Sequence, residues 1–397
     1  MPPCQKGDIC MERTLFSQLI AYLPERQFRR FVVRHGGNQR VRNFRCWDQL
    51  LVMMFAQLTG RDSLRDIELC LRSHSSRLYQ IGIRGKVSRS TLADANESRP
   101  SAIYKELVQL LIKQARTLYA DDFFFKELDE VVYILDSTYI SLCLTVFPWA
   151  RISKSQAEVK IHTLLDLRGA IPSFIAITPS KVRDSKILKE LSIEPGAFYI
   201  MDRAYVDFTS LYRIHQERAY FIVRPLKVIA FKRISSKQVD KELGLKADQI
   251  VKLVGTVAPK KYHDRLRLIK YVDPVTNKRL VFMTNNFSLS AILICKMYKE
   301  RWQIEIFFKW IKQNLKIKKF FGTSINAVET QIWIAVSTYL IVAIVKKKLQ
   351  SKASLQQILQ FFSMNVFHEI PVNQAFQQHE YDQITQQNSN QLNLFQS

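Results

Sequence analysis

The sequence has no CxxC pair, and its six cysteines, Cys4, Cys10, Cys46, Cys70, Cys143 and Cys295, are scattered without zinc-ligand spacing. Reduced, buried thiols in a cytosolic protein are the expectation. No apolar run is long enough to span a bilayer: the longest, 332–345, contains Ser337 and Thr338 and predicts a buried helix. The opening MPPCQKGDIC has no apolar core of signal-peptide length. Acidic residues are also scarce, 35 against 59 basic ones, for a net charge of +24. That excess is the footprint of a nucleic-acid binder, and acidic membranes or ribosomes fit the charge equally well.

What is present is a chain of 397 residues, 47% hydrophobic, with material for two or three domains. From residue 11 to about 118 the apolar spacing is helical, and Ser63 and Ser88 are candidate N-caps. SLRDIELCL followed by SRSTLADANESR predicts either a helix-turn-helix, with Arg89, Thr91 and Asn96 on its second helix, or a plain helical bundle. At Val131 the texture changes to strands. VVYILD is a β-branched run ending on Asp136; 138–146 alternates as a further strand; KIHTLLDL and AIPSFIAITP flank an Arg168-Gly169 turn. FYIMD ends a second run on Asp202, followed by Arg203 and a helical segment. YFIVRPL closes the sheet, and 227–289 reads as a separate strand-rich block with 14 basic and 5 acidic residues over 227–285. The helix after 330 is expected to pack under the sheet, and the Gln/Asn-rich stretch from 373 onward to be a frayed tail.

A second helix carries the chemistry. In 298–312, YKERWQIEIFFKWIK, the residues Tyr298, Arg301, Glu305, Lys309 and Lys312 fall three or four apart on one predicted stripe. Ile304, Phe307, Phe308, Ile311 and Leu315 take the other face. Taken alone, the stripe is a solvated face with Arg301–Glu305 and Glu305–Lys309 ion pairs. Upstream, however, two apolar runs deliver aspartates toward the crevice where α/β sheets bind ligands. Asp136, Asp202 and Glu305, on separate elements, are what a two-metal phosphoryl-transfer site needs, and Mg²⁺, or Mn²⁺ as substitute, is the expected cofactor. Asp166 and Asp184 compete for the role, but a Gly turn and neighbouring cations assign them to the surface. Trp302 projects from the edge of the stripe, where an indole either stacks on a flipped base or packs in a core.

Tyr298, Arg301, Glu305 and Lys312 meet the pattern Y-x2-R-x3-E-x6-K in full. With Asp136 in LDST, Asp202 in MDRAY and a β insertion before the glutamate, the chain resembles bacterial DDE transposases of the insertion-sequence-four group over about 131–349.

The resemblance implies an α/β fold with an RNase H-like core at 125–226 and 290–350, a mixed sheet flanked by helices. The β-rich insertion 227–289 would interrupt it, an all-α DNA-binding domain at 1–120 would precede it, and a helical segment with the polar tail, 351–397, would follow. It further implies cut-and-paste transposition through a hairpin intermediate. Asp136, Asp202 and Glu305 would hold the metals, and Tyr298, Arg301, Trp302, Lys309, Lys312 and Arg203 would contact DNA. Partners would be double-stranded DNA, namely the element's terminal inverted repeats and the target, and a second copy in a synaptic homodimer, with no membrane. The compartment would be the bacterial cytoplasm, in association with the nucleoid. Where many relatives carry His-Asp this chain reads Arg183-Asp184, and 227–289 contains no Trp, so Tyr262, Tyr271 and Trp302 are the candidates for base stacking. Another RNase H-like nuclease or junction resolvase, or a DNA-binding relic, would share parts of this pattern.

Overall fold

The computed structural model describes residues 13–371, apart from 84, 123, 126, 154–156, 227 and 315–319. Cys4, Cys10, Leu315 and the polar tail from 373 onward lie outside the described residues. In chain order the helices α1 (Leu15–Ile20), α2 (Glu25–Arg34), α3 (Cys46–Leu58), α4 (Leu64–Ser73), α5 (Arg89–Ser98) and α6 (Ala102–Leu118) come first. Strands β1 (Val132–Leu142), β2 (Ala157–Asp166) and β3 (Ile171–Pro179), the short α7 (Asp184–Ile187), β4 (Phe198–Met201), α8 (Phe208–Gln216) and β5 (Tyr220–Val223) follow. Then come β6 (Phe231–Lys237), β7 (Leu245–Leu253), the short α9 (Ala258–Lys261), β8 (Leu266–Val272) and β9 (Arg279–Thr284). The chain ends with α10 (Ala291–Lys299), α11 (Trp302–Asn314), α12 (Ile325–Lys348) and α13 (Leu355–Asn365). These elements form two compact units, Met1–Tyr119 with Lys309–Ser397, and Ala120–Phe308.

Among its described residues the first unit has helices and no strand, and it is built on α12. Its sequence is apolar all round, and a helix apolar on every side needs cover on every side. α6, α3 and α5 supply most of it, so α12 lies among helices where the sequence suggested a place under the sheet. The helix is longer than its apolar run, long and apolar enough by composition to cross a membrane, but 94% of that window is buried inside the protein. Ser337 and Thr338 donate to the carbonyls of Trp333 and Ile334, each at 2.9 Å, so neither hydroxyl is left unpaired in the core. Ser63 and Ser88 cap α4 and α5 as expected. Residues 74–88 separate those helices, too many for the tight turn of a helix-turn-helix. Asn96 is buried and accepts from Gln49 Nε2 at 2.7 Å, so it serves the bundle and reads no base.

The second unit holds one nine-stranded sheet in the order β3-β2-β1-β4-β5-β9-β8-β7-β6. β1, β4 and β5 run parallel; every other pairing is antiparallel. Gly169, at φ +69°, makes the β2–β3 turn. β5 does not close the sheet, because β9 pairs beside it through Ile222↔Thr284 and Val223↔Met283. The strands of 227–289 are therefore hydrogen-bonded into the same sheet and do not stand apart from it. Tyr133, Leu135, Tyr199, Met201, Phe221 and Val223 line one face, where Leu211 and Ile214 of α8 join them in the core. Alternation puts Ile134, Ile200 and Ile222 on the other face. Tyr262 is buried against α8 and β5, with its hydroxyl 2.9 Å from His215 Nδ1, which removes it from the candidates for base stacking. Cys46 and Cys295 are buried free thiols, whereas Cys143 is exposed.

Candidate active site

β1 is one strand of eleven residues, so Asp136 lies within it, where the sequence suggested that a strand ended. What ends there is the parallel ladder: Leu135 pairs with Met201, and Met201 with Val223. One residue beyond that row come Asp136, Asp202 and Arg224. Asp136 continues the face of Ile134 on β1, because side chains two apart on a strand point the same way, and Asp202 and Arg224 follow directly after the last residues of β4 and β5. Strands lie about 4.8 Å apart, so Asp136 and Asp202 are near neighbours. Arg224 escaped the sequence reading, although YFIVR is a third apolar run ending on a charge.

The helical part of the site is not one continuous helix. α10 stops at Lys299, α11 starts at Trp302, and Arg301 occupies the turn between them. The break takes Tyr298 off any outer stripe: it is buried, packs on Phe282 with ring centroids 4.7 Å apart, and its hydroxyl has no hydrogen-bond partner among the described residues. Burial pushes the Tyr298 phenol up to about 12, and the charge of Asp202 adds to the rise. Arg301 joins the strands to the helix. Its Nη1 donates to Asp136 Oδ2 at 2.7 Å, and its Nη2 to Glu305 Oε1.

Burial also pushes the Asp136 carboxyl up to about 6, against the opposing pull of the Ser137 N–H and the Arg301 guanidinium. The charges of Asp202 and Glu305 add to the rise, so the carboxylates act on one another. The set fits a divalent cation in donor chemistry, being hard oxygens with more negative charge than one guanidinium neutralises. Among the described residues, though, no three such groups converge on a single point. Arg301 is the cation between Asp136 and Glu305.

The remaining expected residues differ in exposure and in the unit they belong to. Arg203 is exposed on a 3₁₀ turn directly after Asp202. Trp302 is 46% exposed, as a residue free to stack must be, and Ile306, one turn on, is 44% exposed. Lys309 is exposed and Lys312 half-buried, both on the part of α11 that belongs to the helical unit. Neither competing aspartate is a surface residue. Asp166 is 1% exposed and takes Arg168 in a bidentate pair, at 3.1 Å to Nε and 2.8 Å to Nη2. Asp184 accepts from Ser137 Oγ at 2.8 Å and from Lys160 Nζ at 3.3 Å. A pairing with Ser137 and Lys160 depends on two strands and the start of α7, and leaves no local pattern to read.

Comparison with known proteins identifies the family. Residues 127–341, more than half of the chain, match the transposase DDE domain family, and residues 11–84 match a domain of unknown function, DUF4372. A Sinorhizobium fredii protein described as transposase y4zB is 33% identical over 64% of this chain and 70% of its own length. A Geobacillus stearothermophilus transposase of insertion sequence element IS5377 is 27% identical over 64% of this chain and 66% of its own length. The solved piggyBac transposase synaptic complex with hairpin DNA is similar at a TM-score of 0.46 and 10% identity, over 96% of this chain and 84% of that one, too low a likeness to argue from. Asp136 and Asp202, each one residue past the end of a parallel ladder, with Asp136 joined through Arg301 to the helical Glu305, thus stand in a chain that belongs to the transposase DDE family: it is a bacterial insertion-sequence transposase, an enzyme of DNA cleavage and strand transfer.

Proposed function

We propose that Asp136, Asp202 and Glu305 are the catalytic residues and hold two Mg²⁺ ions, which Mn²⁺ can replace, for excision and integration of the chain's own insertion sequence. What carries the reading is the parallel ladder that ends at Leu135↔Met201, one residue before Asp136 and Asp202, together with the Arg301 bridge from Asp136 to Glu305. DDE transposase domains depend on divalent metal, and bound ions would activate water or a 3′-hydroxyl and neutralise charge on the phosphate under attack. The chain's own residues then have separable tasks. Asp136 and Asp202 offer oxygens from the sheet, whose hydrogen bonds fix their spacing, and Glu305 offers one from the helix. Arg301 exchanges carboxylate for DNA phosphate as the ends dock, since its guanidinium suits either in a bidentate grip.

Arg203, Lys309 and Lys312 also serve the end phosphates, whereas the buried Tyr298 hydroxyl is closed to them. Trp302 stacks on a flipped base in the hairpin step, with Tyr271 as the other aromatic open to that role. The sheet around β1, β4 and β5 is an RNase H-like core, 227–289 is its basic, DNA-holding insertion, and the N-terminal helices bind DNA. Two copies pair the terminal inverted repeats before target joining, in the bacterial cytoplasm at the nucleoid.

Cleavage of terminal-repeat DNA in Mg²⁺, Mn²⁺ or Ca²⁺ tests the reading. Asp136→Ala, Asp202→Ala and Glu305→Ala should each abolish cutting in Mg²⁺ and retain end binding in Ca²⁺. Retained cutting in any of them removes that residue from the site.

A further inference from the structure

We propose that Asp184 is a positioning residue for Asp136, acting through Ser137 from the opposite face of the sheet. Asp136 and Ser137 are consecutive in β1, so their side chains leave the strand on opposite sides. Ser137 connects the two sides: its N–H donates to Asp136 Oδ1 at 2.8 Å and its Oγ to Asp184 Oδ1 at 2.8 Å. The link sits where β1 passes the end of β4 and loses its parallel neighbour, since the ladder stops at Leu135↔Met201. From there β2 alone holds the strand through backbone pairing. The Ser137–Asp184 bond is a second restraint at that point.

Asp184 is itself held firmly. Lys160, 3% exposed, donates to Asp184 Oδ1 and to the Val182 carbonyl at 2.9 Å, and its Nζ lies 4.8 Å from the Tyr139 ring centroid. Cross-strand register puts Ser137 opposite His162 and Tyr139 opposite Lys160, so one face of β1 and β2 forms the seat. His162 is buried with Nδ1 3.6 Å from Asp184, and burial pushes it down to about 4, so it packs as a neutral ring. The buried Lys160 fixes one oxygen of the half-buried Asp184, Ser137 reaches it, and the Ser137 N–H sets the rotation of the Asp136 carboxyl. Partners behind a ligand commonly change metal affinity or activity by about 10–100-fold.

The inference rests on Asp136 being a metal ligand. Its test is direct Mn²⁺ titration of the full chain by electron paramagnetic resonance, with Mn²⁺ half-saturation of end cleavage and thermal melting measured alongside. Ser137→Ala keeps the N–H, removes the hydroxyl link and leaves no buried charge unpaired. It should raise the Mn²⁺ Kd about tenfold at an unchanged melting point, while Ser137→Thr stays within about twofold of the parent. Asp184→Asn should shift the Kd in the same direction, and the double variant should be no worse than the stronger single one, the non-additivity of a shared path. Parent-like Mn²⁺ affinity in Ser137→Ala, or a fully additive double variant, overturns the proposal. If Asp136→Ala still binds Mn²⁺ and cuts, the site assignment itself is lost; if Asp136→Ala is inert and Ser137→Ala behaves as the parent, only the role of Asp184 is.

Discussion

Arg301 Nη1 donates to Asp136 Oδ2 at 2.7 Å, joining a strand to a helix turn 165 residues further along the chain. The same guanidinium holds Glu305. A cation so placed offsets the repulsion between the two carboxylates.

Arg301→Ala should therefore act on both DNA and acid. End binding in Ca²⁺ should weaken, with the slope of log K against log salt reduced by about one, as for one lost phosphate contact. Because Arg301 opposes the rise of the Asp136 pKa, the acid limb of the cleavage profile should also move to higher pH. An unchanged salt slope would remove Arg301 from the DNA contacts.

Asp136 makes metal-free stability depend on pH. Its carboxyl rises from 3.8 to about 6 on folding, so between those values the folded chain holds a proton that the unfolded chain releases. Stability is then greater at the acid end of that window and falls as pH rises through it. At neutral pH Asp136→Asn should gain on the order of 2 kcal/mol in EDTA. Mn²⁺ should raise the melting temperature of the parent and not of the variant. Equal melting of both at pH 4 and pH 7 in EDTA contradicts this.

Tyr298 carries a buried hydroxyl with no partner among the described residues, and such a group contributes nothing to holding the fold. Tyr298→Phe should melt within about 0.5 kcal/mol of the parent or slightly above it. End binding and cutting should stay close to the parent's, because the buried hydroxyl does not reach a DNA phosphate. A variant that loses stability and keeps full activity would assign the hydroxyl to structure alone.

Asn326 clamps the helical unit. Its Nδ2 lies 3.0 Å from the Asn96 carbonyl and 2.7 Å from that of Arg99, and its Oδ1 accepts the Ser101 N–H at 2.9 Å. Asn326→Ala leaves these groups without their partner and should cost about 1–3 kcal/mol. Chemical denaturation reads that loss, and a midpoint unchanged from the parent contradicts it.

Asp202 was legible because an apolar run of four strand residues and the aspartate after it are contiguous. Glu305 was legible because helical spacing pairs it with Arg301. Other features were not. The continuity of β1 through Asp136 depends on its pairing with β2, and the break between α10 and α11 buries a phenol that helical periodicity would have exposed. Nor does a sequence pattern show that β9 pairs with β5, the contact that joins the basic block to the sheet.

The sequence by itself determined the strand-borne aspartates, the helical glutamate with its arginine, and a charge suited to nucleic acid, because each is a local pattern of residue type and spacing. Tertiary structure alone decided that Asp136, Asp202 and Arg224 stand in one row, that Arg301 spans two carboxylates, and that Asp184 reaches Asp136 through Ser137. Those relations are set by strand order and register, and register is a property of paired chains that no single segment carries.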